Sequence, residues 1–163
     1  MKLAATLSGP GARRLGWAVA IAVVVLDQGS KAWVTSHLPP HLARPFLPGL
    51  LNLRPLLNTG AAFSLFTGST ALLGLMSLLV SVGVAIWISR LKRVRLWRLL
   101  GAALVLGGAL GNGLDRWRLG AVVDFLALVP IDFPVFNLAD VAINLAVLCL
   151  AIDLLHADAS APD

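Results

Sequence analysis

Residues 70–98 read TALLGLMSLLVSVGVAIWISRLKRVRLWR. An unbroken apolar run is followed at once by Arg90, Lys92, Arg93, Arg95 and Arg98. No charge occurs between Arg54 and Arg90. A helix that crosses a bilayer needs about 20 apolar residues, and 70–89 supplies one. Beyond the basic link, 97–115 supplies another. The pair reads as a membrane hairpin around a charged turn.

Working outward, Arg13 and Arg14 precede an apolar run from Leu15 to Leu26, which Asp27 and Lys31 interrupt before Ala32-Trp33-Val34. This predicts a first span over 15–35. A basic start and a short apolar core also fit a cleaved signal peptide, but no small-residue cleavage site follows. A last span is expected over 137–156. Residues 36–69 hold Pro39, Pro40, Pro45, Pro48 and Pro55, which excludes a helix there. Leu50–Arg54 reads as a short strand within that loop. A second loop, 116–136, holds Pro130 and Pro134. The third span contains Gly107-x-x-x-Gly111, small residues one turn apart that let helices approach closely.

Composition agrees. Of 163 residues, 58% are hydrophobic and 13% charged, against about 25% charged in an average soluble domain. The mean hydropathy is +0.87. Soluble and disordered classes are excluded. All acidic residues are Asp, and Cys149 is the sole cysteine, which excludes an intramolecular disulfide or a multi-Cys metal site. No HExxH, Cys-x-x-Cys or phosphate loop occurs. The expected fold is an all-α membrane protein, one domain over 1–163. It has four transmembrane helices and a small outer loop region with short β-strands.

Charge sets the orientation. Lys2, Arg13, Arg14 and the five basic residues of the 90–98 link share one side, with no acid in either segment. That side is expected to be cytoplasmic, as are both termini, and the loops 36–69 and 116–136 face outward. The pI near 10.7 then reflects topology, and nucleic-acid binding is discounted.

Ionisable and amide groups at membrane depth are costly, so they mark candidate function. Asp27 and Lys31 are spaced i, i+4 on one helix face. They read as a structural ion pair or as a contact to substrate or a phospholipid headgroup. Asn58-Thr59-Gly60-Ala61-Ala62-Phe63-Ser64 suits a turn, a plain re-entrant loop on its own. Asn112, Asp115 and Arg116 share a helical face, and Asp124 follows among apolar residues. Asn137, Asp140 and Asn144 form one stripe of the last span. An isolated buried Asp140 needs a partner, and Asp124 is the candidate. Two carboxylates in a low-dielectric site cannot easily both ionise. One then holds a proton and the other can activate water. Polar glue between helices is the plainer reading of the same residues.

Taken in order, Asp27-x-x-x-Lys31, Asn58-x-Gly60-Ala61-Ala62-Phe63, Asn112-x-x-Asp115-Arg116 with Val123-Asp124-Phe125, and Phe136-Asn137-x-Ala139-Asp140 resemble the bacterial lipoprotein signal peptidases (signal peptidase II). The resemblance spans about 27 to 144. It implies an intramembrane aspartyl endopeptidase of the bacterial inner membrane, with its site at the outer face. Such an enzyme cuts prolipoproteins before their diacylglyceryl-modified cysteine. It implies Asp124 and Asp140 as the catalytic pair. Asp27, Lys31, Asn58, Gly60, Asn112, Arg116, Asn137 and Ala139 fall at recurrent positions around the site, and Asn144 joins them from the last-span stripe. It implies no metal or organic cofactor, and inhibition by cyclic depsipeptides of the globomycin type. Asp115 is expected to be structural.

Two rivals stand beside this. A Ser–Lys hydrolase could use Ser30 and Lys31, but adjacent helical residues point about 100° apart; Ser36 and Ser64 remain as other nucleophiles. A small transporter or channel subunit could line a path with the polar residues, but they cluster toward the outer half. A presenilin-type protease lacks its Gly-x-Gly-Asp motif here.

Overall fold

The first long helix, α1, runs Gly9–His37 with Pro10 in its first turn, where a missing N–H costs nothing. Leu38, extended ahead of Pro39 and Pro40, ends it because a residue before proline disfavours helix. Helix α2 is Thr70–Ser89, α3 is Leu96–Leu119 and α4 is Leu138–Asp158. The computed structural model describes residues 6–60 and 69–158.

Among the described residues, three helices are long and apolar enough to cross a membrane: α1, α2 and the Leu138–His156 part of α4. Helix α3 is less apolar because it carries Arg98, Asn112, Asp115, Arg116 and Arg118. It packs against α1, α2 and α4, and Leu99, Ala103, Leu106 and Ala109 are buried. The usual distribution of polarity is inverted. Val25 and Leu26 are 62% and 63% exposed, whereas Asp27 beside them is 0% exposed. Leucines face outward and a carboxylate faces in, as a lipid solvent requires.

Small residues on α3 allow that approach. A Cβ on Gly107 would lie 2.5 Å from Val23 Cβ, and one on Gly111 would lie 2.6 Å from Asp27 Oδ2.

Two small antiparallel sheets close the ends. Strand β1 (Thr6–Ser8) pairs with β4 (Arg93–Arg95), Leu7 opposite Val94. The basic link is thus partly a strand, which its sequence did not announce. On β4 and α3, Arg95 and Arg98 hold buried Asp153 of α4 at 2.8 and 2.9 Å.

At the other end β2 (Arg44–Leu47), β3 (Leu51–Asn58) and β5 (Val122–Leu128) form a sheet in the order β2-β3-β5. The strand expected over Leu50–Arg54 continues to Asn58. It passes Pro55 by a register shift between Leu53 and Leu56, the place where a central strand tolerates proline. The segment expected as a loop over 116–136 stays helical to Leu119. Gly120, at φ 70°, caps α3, and β5 follows. Five consecutive buried residues, Val122–Leu126, give β5 no alternation to read. Val34 of α1 packs with Val123, Phe125 and Leu126 and seats this sheet on the helices. Phe136 then pairs with Leu126 (Leu126 N–H to Phe136 O, 2.8 Å), which returns the chain to β5 just before α4 begins.

Candidate active site

That return brings Asn137 and Asp140 beside Asp124. At the start of α4 the Asp140 N–H donates to Asn137 Oδ1 (3.0 Å) and the Asn137 N–H donates to Asp140 Oδ2 (3.1 Å). This is a reciprocal cap, so Asp140 has a local structural reason to point where it does. Asn137 is wholly buried. Its Nδ2 donates to Asp124 Oδ1 at 2.6 Å and to Asn112 Oδ1 at 3.0 Å. Asn112 Nδ2 donates to Asp140 Oδ1 at 2.8 Å. The two carboxylates are therefore joined through two buried amides.

Asp124 has a second donor. Asn58 Nδ2 reaches its Oδ2 at 2.9 Å, while Asn58 Oδ1 accepts the Gly60 N–H at 2.9 Å. That side-chain turn orients the amide. Arg116 Nη2 donates to Gly60 O at 3.3 Å. Burial pushes the Asp124 carboxyl up from 3.8 to about 6. The bonds from Asn58 and Asn137 and the charge of Lys31 oppose the rise, and Asp140 adds to it.

A cavity of about 880 Å³ opens from these groups, a size suited to an organic ligand. Asp124, Asp140, Asn58, Gly60, Asn112 and Arg116 line its polar part, and Met76, Val80, Val105, Ile143 and Leu145 of α2, α3 and α4 line its apolar part. Asn144 lines it too and donates to Asp140 O at 2.9 Å.

Asp27, Lys31 and Ala139 lie behind this cavity and do not line it. Lys31 pairs with Asp27 at 2.8 Å and with Asp115 at 2.9 Å. Ala139 takes part through its backbone, whose N–H donates to Asp27 Oδ1 at 2.9 Å. Asp115 Oδ2 accepts the Val123 N–H at 3.1 Å. Gln28, which the sequence reading passed over, donates to Asp27, Gly111 O and Asp115 at 3.2, 3.1 and 3.0 Å. Its signal was its position, a polar side chain beside Asp27 within an apolar helix. Ala61, Ala62, Phe63 and Ser64 lie outside the described residues. Among the described residues no group of three or more His, Cys or Asp is placed to hold a metal.

Comparison with known proteins gives a consistent answer. The family described as signal peptidase (SPase) II matches residues 19–156. A lipoprotein signal peptidase of Synechococcus sp. is 57% identical over 138 residues, 84% of this chain and 91% of that protein. One of Gloeobacter violaceus is 44% identical over 146 residues, 90% of this chain and 84% of its own. A bacterial membrane enzyme solved by the in meso method superposes with a TM-score of 0.81 at 28% identity, covering 90% of each chain.

Proposed function

The chain belongs to the signal peptidase II family, and from that premise we propose that Asp124 and Asp140 are its catalytic pair. Its activity is that of a lipoprotein signal peptidase, a multi-pass membrane peptidase that removes the signal peptide from prolipoproteins. The aspartyl mechanism is our reading. The observation that carries it is the linkage of two carboxylates through Asn137 and Asn112 at the polar end of one cavity.

In this reading one Asp, ionised, takes a proton from water. The other, protonated, donates to the scissile carbonyl oxygen. Water adds to the carbonyl carbon to give a tetrahedral intermediate. A proton then passes to the departing nitrogen as the C–N bond breaks, and the two carboxyls exchange roles. The rise of Asp124 to about 6 leaves a proton within reach at neutral pH. Asn58, Asn112 and Asn137 fix the carboxyl planes, and Arg116 and Gly60 border the substrate path.

Helix α3 makes a fourth span, shielded from lipid by its neighbours. The basic end with Arg13, Arg14 and Arg90 faces the cytoplasm, both termini lie inside, and the dyad sits at the outer face of the inner membrane. The cut falls before the diacylglyceryl-modified cysteine. The apolar cavity wall then receives the acyl chains beside membrane phospholipid. Cyclic depsipeptides of the globomycin type compete for the same cavity. A transport path is not favoured, because it needs polar groups at every depth and the Asn and Asp residues that line the cavity gather at the dyad end.

The test is to incubate purified enzyme with a prolipoprotein, with or without its diacylglyceryl group. The reading expects a mature product beginning at the modified cysteine, no cleavage of the unmodified form, and block by globomycin. Cleavage elsewhere, or equal cleavage of both forms, contradicts it.

A further inference from the structure

Behind the dyad, Lys31, Asp27 and Asp115 form a buried cluster that does not line the cavity. Lys31 Nζ lies 2.8 Å from Asp27 Oδ2 and 2.9 Å from Asp115 Oδ2, and it donates to Asn112 Oδ1 at 3.0 Å. An ammonium has three N–H donors, and here each has an acceptor. Those acceptors lead back to the dyad. Asp27 Oδ1 holds the N–H of Ala139, the residue before Asp140. Asp115 Oδ2 holds the N–H of Val123, the residue before Asp124. Asn112 donates to Asp140 itself.

We propose that Lys31 is a positioning residue that sets the spacing of Asp124 and Asp140, by clamping together the two carboxylates that hold the backbone just ahead of each. The inference rests on the dyad reading above. A tie between α1 and α3 does not by itself need Lys31, because Gln28 Nε2 already bridges Asp27 and Asp115. What Gln28 does not touch is Asn112. With its Oδ1 held by Lys31 and Asn137, Asn112 can only present Nδ2 to Asp140. Lys31 thereby fixes both the separation of the carboxyls and the direction of the hydrogen bond into one of them.

The test compares wild type, Lys31→Met and the triple variant Asp27→Asn/Lys31→Met/Asp115→Asn, full-length and purified. The triple removes the buried charges and keeps oxygen acceptors for the Ala139 and Val123 N–H groups. Rates are expressed per inhibitor-binding site, so unfolded molecules do not count. Displacing a reacting group by about 1 Å costs about 100-fold. Lys31→Met is therefore expected to lose about that much kcat, with KM changed less than about twofold. Its acid limb should also move to higher pH, since the charge of Lys31 favours the ionised form of Asp124. The triple is expected to regain thermal stability without regaining kcat. A triple variant that recovers kcat or fails to fold makes Lys31 a folding element and overturns the proposal, as does a Lys31→Met enzyme within about threefold of wild type. Asp124→Asn and Asp140→Asn run alongside. If either cleaves, the dyad reading fails; if both are silent and Lys31→Met is fully active, only this inference fails.

Discussion

Asp124 shows how a single residue can be pulled two ways. Burial raises its carboxyl to about 6, while donors from Asn58 and Asn137 favour the anion. Because the folded value exceeds the ordinary 3.8, the native state prefers the proton more than the unfolded chain does. Stability is therefore lost as pH rises from about 4 through about 6. Asp124→Asn removes that dependence. The variant should gain on wild type by about 2–3 kcal/mol between pH 4 and 7, read from thermal unfolding in one detergent at several pH values. A constant difference would contradict the assignment. The polar residues were legible in the sequence because charge at membrane depth stands out. Their connections were not. Nothing in the spacing says that Ala139 contributes an N–H to Asp27, or that Asp115 anchors β5 through Val123. Those bonds depend on where three chain segments meet.

Among the elements, α3 carries the most constraint because it touches each of the other helices. A Cβ at Gly111 would sit 2.6 Å from Asp27 Oδ2, whereas Gly83 on α2 has nothing within 4 Å. Gly111→Ala should cost about 1–3 kcal/mol and lower activity by shifting Asp27. Gly83→Ala should be neutral or stabilising by up to about 1 kcal/mol. Melting temperatures of the two variants check this, and equal shifts would sink the packing argument. The helices were legible from apolar length and proline punctuation. Strand β5 was hidden because burial on both faces erased its alternation. Strand β4 was hidden because basic residues set the topology of a link and say nothing of its pairing with β1.

The whole molecule has a basic end and an end that carries the proposed dyad, and the proposed topology places the first on the inner side of the membrane and the second on the outer side. A cysteine at Asp132 should be labelled by an impermeant reagent added to spheroplasts, and one at Lys92 only after the membrane is breached. The reverse pattern would overturn the proposed topology. The family resemblance was readable from the order of four short motifs, and charge set an expected orientation that this labelling tests. The cavity between α2, α3 and α4 was not, because its walls are ordinary leucine, valine and methionine. One assay addresses the two aspartates directly. Cleavage of a diacylglyceryl-modified prolipoprotein is measured for wild type, Asp124→Asn and Asp140→Asn, each shown to be folded. Each variant is expected to retain less than about a hundredth of wild-type turnover. Turnover within about tenfold of wild type in either folded variant would contradict the proposed pair.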